Sequence, residues 1–409
     1  MFQREMKKAI LAAALLVSAG LSAQDYLPGW QKGMFDIHFI ATGRGDASFL
    51  ILPDGTSILA DAGDVGTGWH VDQPNDSKTP GEWIAKYIHD FSEGLPHRDT
   101  VDYFYLTHYH GDHVGTWGIS KPGPHGYRLA GVTEVGEYIH FNKIIDRECG
   151  VYAFPSEQYF RDRTEKFIRE AYFPFCKYQH DSCGTALEKF VIGSRTQFRP
   201  LYDKRSYRKN FEAYNIACNG HIHTGKGLKT RPMYTEDPNI FDENMFSGVV
   251  LFRYGKFTYY NGGDICSGPH ESFKAQNRDF ETPIADLIGG HVTLINPDHH
   301  GWKESSNGYF LKKLSPEVIV EMCSNRTHPY SETLKRIVDP MTYNTPRKLY
   351  ITTEGSRERL GEELWQCFEP WYGHVVVRVY DGGNSYQVFV LDAKSGDYRI
   401  LHAGEVVEL

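Results

Sequence analysis

The stretch Phe104–Gly115, "FYLTHYHGDHVG", decides how the chain is read. It crowds His108, His110, Asp112 and His113 together at the end of an apolar run, and none of these side chains gains packing energy from the crowding. His108 and His110 are two apart, so at the exit of an extended strand they share a face. Asp112 and His113, in the turn beyond, present ligands to a second point nearby. Two imidazoles for one ion, and a carboxylate with an imidazole for another, is how a dinuclear zinc or manganese site grows from one loop. A solvated polar turn is the plain alternative, and the density of ligand types argues against it.

Outward from this run, the chain has 409 residues and is 40% apolar, enough for a large core and against whole-chain disorder. Residues 1–23 carry Arg4, Lys7 and Lys8, then "AILAAALLVSAGL", then small residues before a cut expected after Ala23. The pattern predicts a secretory signal peptide, because the apolar run is too short to span a bilayer. Loss of that leader takes Lys plus Arg from 44 to 41 and Asp plus Glu from 52 to 51, so the formal charge moves from -8 to -10. Such an acidic balance argues against indiscriminate binding to nucleic acid or anionic membrane. Seven cysteines without a CxxC pair exclude a zinc-finger framework. Cys176 and Cys183 are close enough in sequence to bridge after export, and buried free thiols are the equal alternative.

Short β-type runs, "FDIHFIATG", "ASFLILPDG" and "TSILADAGD", precede the histidine run. Between them and "VDYFYL", "TPGEWIAKYIHDF" predicts a helix with Thr79 as N-cap, Pro80 at the first position and Glu82 closing a capping box; Trp83, Ile84, Tyr87, Ile88 and Phe91 share a side. From about 150 to 240 the pattern loosens into helix-like "SEQYFRDRTEKFIREAYF" and a long irregular stretch, which reads as an insertion. Beyond it, "GVVLFRYGKFTYYNGGD", "HVTLINP", "NGYFLKKL", "EVIVEM", "SETLKRIV" and "KLYITT" alternate strand and helix in an α/β manner. "VVVRVY" and "YQVFVL" around "DGGNS" form a C-terminal hairpin. The expected organisation is a leader over 1–23, one hydrolase domain over 35–355 with the insertion inside it, and a C-terminal extension over 356–409 completing the same domain.

The motif His-x-His-x-Asp-His resembles the first metal motif of the metallo-β-lactamase fold superfamily. The resemblance is closest to the branch containing the nuclease-like domain of bacterial DNA-uptake (competence) proteins. It is carried by "GRGDA" at 43–47, "LPDG" at 52–55, "DAG" at 61–63, "NMFS" at 244–247, "GGD" at 262–264, "DHHG" at 298–301, Asn325 and "HP" at 328–329. What it implies is an α/β fold, an αββα metallo-β-lactamase-type sandwich with its metal site at one edge between the sheets. It further implies two divalent ions, zinc first and manganese second: His108 and His110 on the first ion, Asp112 and His113 on the second, and Asp264 bridging. One of His299 and His300 completes the second site, with His299 favoured as the residue at the strand exit. Asp61 is expected beside the site, orienting a histidine. The further ligand histidine of many superfamily members has no motif here; His140, His180, His221 and His223 lie in the right interval.

The expected chemistry is hydrolysis by a metal-activated water, held by Asp112 or Asp264, with His328 as a phosphate contact or proton donor. Neither GxSxG nor SxxK occurs, so no serine nucleophile competes. The branch resemblance implies phosphodiester substrates, nucleic acid or phosphocholine-type. Arg195, Arg199, Lys204, Arg205, Arg208, Lys209, Lys226, Lys229 and Arg231 interleave with Tyr202, Tyr207, Phe211 and Tyr214, a composition suited to single strands as well as to a solvated loop. Two other readings are a lactonase or β-lactamase-type hydrolase on the same metals, and a non-enzymatic surface binding protein displaying "RGD" at 44–46. The protein is expected in the periplasm or outside the cell, with no stable membrane span.

Overall fold

The computed structural model describes residues 25–42, 45–64, 73–267, 279–322 and 327–409. The leader over 1–23, Arg44 and Asn325 lie outside the described residues. Two large mixed sheets face each other. In spatial order the first runs Ala186–Lys189, Lys143–Asp146, Tyr103–Tyr105, Ser57–Ala60, Ser48–Ile51, Phe35–Phe39, His374–Val379, Ser385–Leu391 and Ile400–Ala403. The second runs Thr230–Pro232, His221–His223, Phe211–Cys218, Val249–Tyr254, Phe257–Asn261, Leu294–Ile295, Val318–Glu321, Lys348–Ile351 and Phe368–Tyr372.

Apolar side chains divide into three layers, as two sheets with helices outside require. Between the sheets, Phe35, Ile37 and Phe39 meet Val250, Phe252 and Tyr259, with Phe39 and Tyr259 edge to face at 5.7 Å between ring centroids. Outside the first sheet lie the helices Pro80–Phe91 and Phe173–Cys183. Outside the second lie Glu281–Ile288, Gly308–Leu314, Ser331–Val338 and Arg357–Trp365. This is the αββα sandwich.

Helix Pro80–Phe91 starts as its sequence predicts. The Thr79 hydroxyl accepts the Glu82 N–H at 3.4 Å, and the Glu82 carboxylate accepts the Thr79 N–H at 2.8 Å. Ile84, Tyr87 and Ile88 are buried, each side chain contributing about 1.5–3 kcal/mol. Trp83 stays half-buried on the rim, its indole N–H donating to the Asn75 carbonyl at 3.2 Å. The C-terminal hairpin closes the first sheet, Val377 pairing with Ile37 on one side and with Val388 on the other.

The interval 150–240 does not stand apart. It supplies Ala186–Lys189 to the first sheet and Phe211–Cys218, His221–His223 and Thr230–Pro232 to the second, so it builds one edge of the sandwich. Polar and charged residues spaced between the apolar ones conceal these edge strands. Cys176 and Cys183 sit on one helix without a bridge, and every described cysteine is free.

Candidate metal centre

Four strands carry the site, two from each sheet, and all deliver their residues at the same edge. Ser57–Ala60 ends at Asp61, Tyr103–Tyr105 leads to His108, Phe257–Asn261 to Asp264, and Leu294–Ile295 to Asp298–Gly301. Parallel strands that end together place polar residues in the crevice beyond their carboxyl ends. The two sheets are stitched there by the Gly248 N–H donating to the Thr107 carbonyl at 2.9 Å.

His108, His110 and Asp264 gather ligand atoms within 4.8 Å of one another. His108 Nε2 lies 3.2 Å from His110 Nδ1 and 3.7 Å from Asp264 Oδ2. On the other side His113 Nε2 is 3.3 Å from Asp264 Oδ1 and 3.2 Å from His300 Nε2. His300 Nε2 is in turn 3.5 Å from Asp264 Oδ2 and 3.8 Å from Asp112 Oδ2. Ligand atoms on a tetrahedral ion with bonds of about 2.0–2.2 Å lie about 3.3–3.6 Å apart, so both groups have the spacing of a divalent metal shell. Asp264 Oδ1, buried, has no hydrogen-bond partner among the described residues, as expected of an oxygen kept for a cation.

Although burial opposes it, His300, His113, His299 and His108 hold the Asp264 carboxyl well below the usual carboxylate range. Burial likewise opposes the charged form of His113, but Asp264 and Asp61 raise its pKa well above that of an ordinary histidine. Burial, then the neighbouring His113, drive His108 well below. Such opposed shifts follow from packing four imidazoles around one buried carboxylate, and make the cluster a candidate site.

Asp61 sits behind the cluster. Its oxygens accept the Thr107 N–H at 2.8 Å and the Thr107 hydroxyl at 2.9 Å, and Oδ2 lies 2.8 Å from His113 Nδ1. Asp61 therefore orients His113. Ser247 of "NMFS" accepts the Asp264 N–H at 3.0 Å, and Asn244 Nδ2 lies 3.2 Å from His299 Nε2.

The "HH" pair divides its labour. Both residues are left-handed, at φ 48 and 51, a costly backbone for non-glycine residues and typical of functional turns. His300, not the favoured His299, faces His113. The Nε2 of His299 is 3.7 Å from Asp264 Oδ2, its Nδ1 is 3.1 Å from Cys266 Sγ, and its ring stacks on Trp302 at 5.3 Å. His328 completes this wall, its ring 5.5 Å from His299 and 5.6 Å from His300. Burial, with His299 and His300 nearby, keeps His328 well below the ordinary histidine range.

None of the four histidines considered as a further ligand belongs to either cluster. His140 is exposed, and His180 and His221 turn Nδ1 to the carbonyls of Thr185 and Asn219 at 3.0 and 2.9 Å. His223 contacts the Tyr214 hydroxyl and the Gly227 carbonyl. Of the "RGD" tripeptide, Asp46 is 4% exposed, with Oδ1 3.1 Å from His300 Nδ1, so its carboxylate faces the cluster and not solvent.

Sequence reasoning missed Arg147 and Glu243. The fully buried guanidinium donates to Glu243 at 2.6 and 2.8 Å, and Glu243 Oε1 accepts the Tyr109 N–H at 3.0 Å, fixing the ligand loop between the two histidines. Their separation of 96 residues hides the pair.

The fold is an αββα sandwich of the metallo-β-lactamase type, with clustered candidate metal ligands at one edge. No protein-family model and no curated protein matches the chain. Among solved structures it is similar to CmlA, a diiron β-hydroxylase from Streptomyces venezuelae, at 10% identity over 86% of this chain and 55% of that one, with a TM-score of 0.38. It is similar to Zn2+-bound PqqB from Methylobacterium extorquens at 11% identity over 79% and 98%, TM-score 0.37. A metallo-β-lactamase of Cronobacter sakazakii aligns at 13% identity over 68% and 80%, TM-score 0.32. The chain spans just over half the length of CmlA.

Proposed function

We propose that this protein is an exported metal-dependent hydrolase of phosphodiesters that works with two divalent ions, zinc in the first place. One observation carries the reading: His108, His113 and His300 bring ring nitrogens to 3.3–3.7 Å from the buried carboxylate of Asp264, with His110 beside His108 and Asp112 beside His300. When bound, such ions supply a water acidic enough to attack near neutral pH and positive charge for the developing oxyanion.

The chain's own residues do the rest. His108 and His110 would hold one ion, and Asp112, His113 and His300 the other, with Asp264 within reach of both groups. Asp61 fixes the His113 ring by holding its Nδ1. Asp112 or Asp264 would hold the attacking water. His328, kept neutral by burial, serves as a hydrogen-bond donor to a phosphate oxygen. The phosphodiester preference rests on the motif series from "GRGDA" to "HP", and export on the leader.

Metal analysis of the purified protein, with bis-p-nitrophenyl phosphate, p-nitrophenyl phosphorylcholine, plasmid DNA and nitrocefin assayed side by side, tests this. Turnover of one of the phosphodiesters, lost in His110→Ala and on chelation, is expected. Turnover of nitrocefin alone assigns the site to β-lactams, and a protein that takes up no divalent metal ends the hydrolase reading.

A further inference from the structure

The turn that the "RGD" tripeptide ends is built into the metal centre. Asp46 Oδ1 is buried, has no hydrogen-bond partner among the described residues, and lies 3.1 Å from His300 Nδ1. A buried carboxylate oxygen without a donor is costly, and His300 Nδ1 is the ring nitrogen near enough to supply one with a small turn of the ring. The backbone holds the carboxylate there firmly. The Asp46 N–H donates to the Asp112 carbonyl at 2.8 Å, and the Asp46 carbonyl accepts the Gly63 N–H at 2.9 Å. Gly63 is obligatory at this crossing, since a Cβ on it would sit 1.6 Å from the Asp112 carbonyl oxygen.

We infer that Asp46 is a positioning residue for the second metal ion. It holds the proton of His300 on Nδ1 and turns Nε2 toward His113 and Asp264. The inference rests on the metal-centre reading above and adds to it a second carboxylate–histidine pair. Asp61 holds the far nitrogen of His113 at 2.8 Å, and Asp46 lies 3.1 Å from that of His300, from neighbouring turns. Asp46, His113 and His300 also lie close enough together to share an ion, but the nitrogen that Asp46 approaches is the one turned away from His113, whose Nε2 faces His300 Nε2 at 3.2 Å. The positioning role is therefore assigned to Asp46, and direct ligation is the outcome that overturns it. The Gly-x-Gly-Asp-Ala sequence thereby acquires a function. Gly45, at φ 148, brings the turn against Gly63, and Asp46 reaches the ligand.

Cobalt(II) titration of the metal-free full chain, followed by visible absorption and metal analysis, tests this without an activity assay. In Asp46→Asn the affinity of the second ion is expected to fall about 10–100-fold, with the first ion unchanged. The spectrum at saturation stays that of wild type, because no ligand is lost. In a His300→Ala background the same substitution changes nothing further, since its only route to the ion is gone. Wild-type affinity in Asp46→Asn overturns the inference. A saturated spectrum with shifted bands also overturns it, by making Asp46 a direct ligand. If Asp46→Asn folds poorly, Asp46→Ser takes its place, with the same loss of second-ion affinity expected and wild-type affinity overturning. A wild-type chain that binds no cobalt removes the metal centre itself, a different failure from one in which only Asp46 proves idle.

Discussion

Adjacent His299 and His300 show how much a single backbone turn decides. Two left-handed residues in succession send neighbouring side chains in different directions, so one imidazole reaches the His113 group and the other packs between Cys266 and Trp302. His300→Ala is therefore expected to lose about half of the bound metal, and His299→Ala to retain all of it while lowering turnover. Elemental analysis of the two variants checks this, and equal loss from both would mean that His299 also ligates. Sequence alone cannot separate the pair, because both follow the same strand and the turn is held by backbone bonds of His299 to Gly263 and Trp302. The run at 108–113 was legible for the opposite reason: its ligands are local, and strand geometry alone aligns them.

At the scale of one strand, "FDIHF" at 35–39 alternates polar and apolar residues as if one face met water, yet all five are buried. Asp36 is neutralised by Arg378 on the paired strand, the guanidinium donating at 2.7 Å from 342 residues away. His38 lies beneath the helix Pro80–Phe91, with Nδ1 2.9 Å from the Tyr87 hydroxyl. The β-type run thus locates the strand, while the partners that cover its polar face are remote in sequence and not legible from it. Burial pushes the His38 pKa below its ordinary value against the pull of Asp36. Below about pH 6.5 the unfolded chain takes up this proton more readily than the folded one, so stability is complete above that pH and lost as pH falls. The melting temperature of wild type is expected to exceed that of His38→Gln by more at about pH 8 than at about pH 5.5. Melting curves at the two pH values test it, and a constant gap would show that His38 does not titrate on unfolding.

Across the whole molecule, the metal centre and the basic stretch from Lys204 to Lys209 lie at opposite ends of the sandwich. Asp61 and Asp54 bracket the strand Ser57–Ala60; the first touches the ligands, and the second accepts the N–H groups of Tyr202 and Asp203 at 2.7 and 2.8 Å. Asn210 likewise reaches the hairpin turns at Gly255 and Gly382, both at the end remote from Asp264. Lys204, Arg205, Arg208 and Lys209 therefore do not line the crevice where a phosphodiester would react, although their composition alone invites that reading. Exposed charges far from a site act through long-range attraction of a charged partner, and salt screens that attraction beyond about 10 Å at 0.1 M. The triple variant Arg205→Glu, Arg208→Glu, Lys209→Glu is expected to keep kcat/KM for bis-p-nitrophenyl phosphate within about twofold of wild type, since a small substrate needs no guidance from that end. Plasmid cleavage at low ionic strength is the sensitive arm. A loss there that vanishes on adding salt assigns the segment to remote capture of polyanions, and no change assigns it to a solvated surface. A loss with the small substrate would place the segment against the metal centre and contradict the architecture.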